Sequence, residues 1–142
     1  MSSRFVFISI GGIIGFFSPL YVLVIWMLMF VCADLITGLW SSRKNGILWT
    51  SDKLRKTVSK TTLYAMVIVL LHAIDVQILP FSGLELARVA TSIICAIELY
   101  SILENAYKIT DSRVFYILTQ FTLKKIENVS GINMQEQLEK KD

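Results

Sequence analysis

Three apolar runs, about Leu20 to Trp40, Thr61 to Leu79 and Leu86 to Tyr107, constrain this chain more than any other feature. Each reaches the roughly 20 residues that a helix needs to cross a hydrocarbon core of about 30 Å. In hydrocarbon every backbone N–H and C=O has to be paired within the protein, which for single segments means a helix. The chain is therefore expected to be an all-α membrane protein with three transmembrane helices. A further apolar run, Phe5 to Phe17, ends at Ser18-Pro19 and would be only about 20 Å long at 1.5 Å per residue. It predicts a short N-terminal helix that is interfacial, re-entrant or a thin fourth span.

Composition points the same way, since 54% hydrophobic residues against 18% charged, with a mean hydropathy of +0.60, exclude an ordinary soluble domain. The charge is confined to blocks. Between residues 43 and 60 the basic side chains Arg43, Lys44, Lys53, Arg55, Lys56 and Lys60 face a single acid, Asp52. A basic connection between two apolar runs reads as a cytoplasmic loop under the positive-inside rule, in preference to a nucleic-acid patch. The second span then runs outward, "PFSGLE" at 80–85 makes an external hairpin, and the third span returns.

Residues 1–110 form the membrane domain and residues 111–142 a cytoplasmic tail. In that tail Val114, Phe115, Leu118 and Phe121 alternate with charges, which predicts an amphipathic helix near the membrane surface. No A-x-A site follows the first apolar run, so it is not expected to be a cleaved signal. Gly11 and Gly15 form a GxxxG spacing suited to close helix packing, although glycines that merely loosen a short helix give the same pattern. Cys32 and Cys95 lie in apolar runs without disulfide or metal spacing and read as small membrane-buried hydrophobes.

The candidate functional residues are the polar ones inside the spans. An ionised side chain at the bilayer centre costs from about 2.5 to more than 10 kcal/mol, so such residues face a partner, a bundle interior or water. In the third span Thr91, Glu98, Ser101 and Asn105 fall within roughly 80° on a helical wheel, with Glu98 near mid-span. Glu104 lies to the side of this stripe, close enough to the cytoplasmic edge to pair with Lys108 at i+4. The first span carries Asp34, Thr37 and Gly38 near its cytoplasmic end, where Asp34 and Thr37 either bond local backbone or meet another helix. The second carries His72 and Asp75 near its outer end, spaced to bond each other. No catalytic motif, phosphate loop or metal-ligand spacing accompanies them, so neither an enzyme nor a cofactor is expected.

"ADLITGLW" (33–40), "SDKLRKTVSK" (51–60), "HAID" (72–75) and "IELYSILENAYK" (97–108) come in an order and spacing that resembles the phage holin family that includes the clostridial toxin-secretion holins. The resemblance covers about residues 20–110. Its most specific parts are D-x-x-T-G at Asp34, Thr37 and Gly38 and S-I-x-E-N at Ser101, Ile102, Glu104 and Asn105. It implies a homo-oligomer of the bacterial cytoplasmic (inner) membrane whose lesions release an endolysin or a toxin, a passenger that need not touch it. The partners implied are the lipid bilayer and further copies of the chain, with no nucleic acid. From the residues alone, an ion-channel or transporter subunit and a membrane scaffold are the rival readings.

Overall fold

A computed structural model describes residues 2–46, 51–78 and 85–131, leaving out the side chains of 2–11, 13, 14, 52, 53 and 130. The predicted 80–85 hairpin up to residue 84, and the polar end after residue 131, lie outside the described residues. Four helices follow in order: α1 (Ser2–Lys44), α2 (Ser51–Gln77), α3 (Leu86–Thr110) and α4 (Arg113–Ser130). Three stretches, Gly15–Lys44, Leu54–Gln77 and Leu86–Thr110, are long and apolar enough to cross a membrane.

The core follows from helical periodicity. Leu20, Met27 and Val31 recur on one face of α1 and are buried with Ile68 of α2 and Ile94 of α3. The same face of α1 continues as Asp34, Gly38 and the buried Ser41. The bundle interior is thus apolar toward the start of α1 and polar toward its end. Helices α1 and α3 run parallel with α2 antiparallel to both: Phe16 meets His72, Asp34 meets Lys60 and Asn105, and Lys44 meets Ile109.

Side chains from the other two helices close both ends of α3. At its start the Asp75 carboxylate of α2 accepts the N–H of Leu86 at 3.0 Å and that of Ala87 at 2.9 Å. At its end the Lys44 ammonium of α1 donates to the carbonyl of Ile109. A helix leaves these backbone groups unpaired and carries partial positive charge at its N-terminus and negative charge at its C-terminus. Anion and cation are therefore each at the favourable end, and α3 is clamped along its axis between α1 and α2.

Several expectations are corrected. There is no separate helix at 5–17, because α1 passes without a break through Pro19. Proline removes the bond to the carbonyl four residues back, here that of Gly15, and normally costs about 3 kcal/mol inside a helix. In a span the helix survives if neighbours satisfy the loosened turn. His72 Nε2 donates to the carbonyl of Phe16 at 3.0 Å, and the two rings lie with centroids 4.9 Å apart, tilted by 60°. His72 is therefore not bonded to Asp75: one supports the turn beside Pro19 and the other caps α3.

The basic stretch 43–60 is not one loop either. Arg43 and Lys44 end α1, while Lys53, Arg55, Lys56 and Lys60 belong to α2. Beyond these corrections, α4 packs against α3. Asp111, at φ 53°, and Ser112 reverse the chain, Tyr107 and Tyr116 touch across the turn at 5.7 Å, and Thr119, Leu123 and Ile126 are buried. Its far end reaches Arg88 and Val89 in the first turn of α3, so the two helices form an antiparallel hairpin.

Candidate functional site

Near the middle of α3, Glu98 is 1% exposed and among the largest fully buried side chains. Its Oε2 accepts a hydrogen bond from Lys60 Nζ at 2.9 Å. Its Oε1 is buried without a hydrogen-bond partner among the described residues. Lys60 Nζ also lies 3.8 Å from Asp34 Oδ2, while Asp34 Oδ1 accepts from Asn105 Nδ2 at 3.2 Å. Two carboxylates from α1 and α3 thus share one ammonium from α2, and an amide closes the ring of contacts back from α3 to α1.

Local sequence explains how each group arrives. Lys60 stands four residues before Tyr64 and eight before Ile68, so it continues the buried face of α2. Its Nζ lies 6.0 Å from the Tyr64 ring centroid. With its side chain 36% exposed, Lys60 carries its charge inward from the bundle surface, where long cationic side chains usually direct it outward to water. On α3, Glu98 and Asn105 sit one heptad apart on the face that also buries Ala87, Thr91 and Ile94. Ile94 fills this face between the polar residues, so the stripe is a mixed packing surface.

The electrostatics are those of a latch with one unsatisfied contact. Desolvating an ion costs several kcal/mol, and a buried pair repays this only when the remaining lone pairs are also satisfied. Glu98 has one oxygen paired and one without a hydrogen-bond partner among the described residues. Such a cluster fixes which helix faces meet which, while leaving the buried acid short of a partner.

The other sequence candidates divide clearly. Thr37 bonds its own helix, donating to Ala33 O at 2.9 Å and Asp34 O at 3.1 Å, whereas Asp34 turns to the neighbouring helices. A Cβ on Gly38 would meet Asn105 Nδ2 at 3.5 Å, so Gly38 lies directly beside the amide of the cluster. Ser101 is half-buried one turn from Glu98. Glu104 receives Lys108 Nζ at 2.6 Å on the exposed side and stays out of the cluster. His72 and Asp75 lie toward the other end of α2, and Arg43, Arg55 and Lys56 are exposed. Gly15 has open space beside it, and Gly11 falls among residues whose surroundings are not described. Sequence reasoning missed the role of Lys60, which it placed in the loop. Its spacing with Tyr64 and Ile68 is the signal that could have found it.

The model of the bacteriophage holin family matches residues 10–128, a stretch that takes in α2, α3, every residue of the cluster and most of α1 and α4. The chain belongs to the bacteriophage holin family. Comparisons with curated proteins and with solved structures gave no match. Membership and the three apolar helices together make this a multi-pass membrane protein, of a family that is not enzymatic. The family match also gives the buried charges their setting. Glu98 lies midway along a bilayer-crossing helix, where charge is most costly.

Proposed function

We propose that this chain is a holin of the bacterial cytoplasmic membrane, which accumulates, oligomerises and opens lesions that release an endolysin or, as in the toxin-secretion branch, a toxin. The observation that carries the reading is the buried Lys60–Glu98–Asp34 cluster within a holin-family membrane domain. The basic residues at the end of α1 and the start of α2 face the cytoplasm, as the positive-inside rule requires.

In the isolated protein, Lys60 screens Glu98 and Asp34 from lipid. When copies crowd together, the α3 faces of several chains meet around a water-filled opening. Water can then solvate Glu98 Oε1, together with Ser101 and Asn105, and removal of the desolvation penalty favours the open assembly. The closed bundle and the lesion thus compete for the same polar face.

Inducible expression in a bacterium, following membrane potential and release of a cytoplasmic enzyme, tests the function. Abrupt collapse after a lag is expected. Tolerated expression without collapse overturns the reading in favour of a channel, transporter or scaffold subunit. Glu98→Gln and Glu98→Leu test the mechanism, each being expected to shift the lysis time. Unchanged timing in both removes Glu98 from it.

A further inference from the structure

Away from the charged cluster, α3 and α4 enclose a groove of about 390 Å³ beside the first three turns of α3. Its walls are apolar, formed by Ile93 and Ala96 from α3 and Ile126 and Val129 from α4. Ser92 also borders it but turns its hydroxyl onto its own helix, donating to Arg88 O at 2.9 Å. The groove also carries two cations from different helices, Arg88 and Lys125. Arg88 is exposed and pairs through Nη1 with Glu85 Oε2, itself exposed.

We infer that this groove binds one anionic phospholipid, with an acyl chain against Ile93, Ala96 and Ile126 and the phosphate between Arg88 and Lys125. Three observations converge on that occupant. The groove flanks a helix that crosses the bilayer, so acyl chains are its surrounding medium. Its walls provide apolar surface and almost no hydrogen-bonding group, which suits a hydrocarbon chain and not a polar solute. The two cations stand at the level of the first turns of α3, where a span meets the headgroup layer. There guanidinium and ammonium groups complement a phosphate by multiple charge-assisted hydrogen bonds. The lipid would join α4 to α3 through a site that neither helix completes alone. It therefore acts on the α3–α4 hairpin, separately from the latch at Glu98 and from lesion formation.

The test uses the full chain, purified in mild detergent and exchanged into nanodiscs of phosphatidylglycerol or of phosphatidylcholine, with co-retained lipid counted by native mass spectrometry. Preferential retention of a single phosphatidylglycerol is expected. Arg88→Gln and Lys125→Gln, both exposed changes that leave the core intact, should each weaken retention about fivefold. Ala96→Trp, which fills the groove, should abolish it while helix content stays unchanged. Equal retention of the two lipids, or wild-type retention in the charge variants, overturns the proposal. So does a result in which Ala96→Trp changes only the distribution of oligomers, since the groove would then belong to a second copy of the chain.

Discussion

Two acids on adjacent helices, the half-buried Asp75 and the fully buried Glu98, are treated in opposite ways by the fold. Asp75 spends both oxygens on backbone N–H groups at the start of α3, donors that stay in place as long as α3 is a helix. Glu98 has one oxygen on a flexible lysine from another helix and one without a hydrogen-bond partner among the described residues. The first arrangement is complete and local to a helix end, so rearranging the bundle gains it nothing. The second is incomplete, so any state that brings water or another donor to Oε1 is favoured there. A membrane protein that must be stable first and rearrange later needs both kinds of acid.

The largest expected effect comes from breaking the incomplete site on one side. Lys60→Met leaves Glu98 buried without its cation and Asp34 without its neighbour, a class of change that costs about 3–5 kcal/mol. Because the Lys60 side chain is itself partly exposed, the lower end of that range is expected. Thermal unfolding in detergent should show the loss, and induced cells should lyse early. The double variant Lys60→Met with Glu98→Leu removes both charges and should recover most of the stability, as apolar replacements of buried pairs commonly do. If the double variant is no more stable than the single one, the pair is not the source of the strain.

Asp75→Ala ranks next. It removes an anion from the N-terminus of α3 and leaves two N–H groups unpaired, a loss of about 1–2 kcal/mol. The contrast with Glu98 predicts a split. Asp75→Ala should lower the unfolding temperature while lysis timing follows the amount of folded protein. Glu98 variants should move timing at matched protein levels. Asp75 variants that shift timing independently of protein level would erase the distinction between the two acids.

How much of this was legible in the sequence depends on the range of the interaction. The three spans and the local pair Glu104–Lys108 follow from hydropathy and i,i+4 spacing, and the structure has both. The continuity of α1 was hidden because Pro19 is locally a breaker, and the side chain that bonds the neighbouring Phe16 carbonyl, His72, lies far along the chain on α2. Lys60 was misread for a related reason. Judged by neighbours such as Lys53, Arg55 and Lys56 it belongs to a basic connection, and only Glu98 on α3 makes it an interior residue. The pairing of α4 with α3 depends on the two residues of the Asp111–Ser112 turn, which in sequence look like any polar interruption. Periodicity identifies a face, whereas the partner that covers it lies elsewhere in the chain.

The amide side of the cluster should respond more weakly than the charged side. Asn105→Ala removes a single hydrogen bond of 3.2 Å to Asp34 and should cost about 1 kcal/mol in the same unfolding measurement.

Gly38→Ala should have the smallest effect and is the most informative about packing. The added methyl would sit 3.5 Å from Asn105 Nδ2, an ordinary contact, so no backbone has to move. Alanine is also favoured over glycine inside a helix by up to about 1 kcal/mol. The expected result is stability unchanged or slightly raised, with lysis timing unchanged. Gly38→Leu, by contrast, has no room beside Asn105 and should push α1 from α3, separating Asp34 from its amide and from Lys60. If Gly38→Ala alone delays or abolishes lysis without destabilising the closed bundle, the glycine serves a closer helix approach in the open assembly. The contrast between a complete and an incomplete acid would then have to extend to a second face of α1.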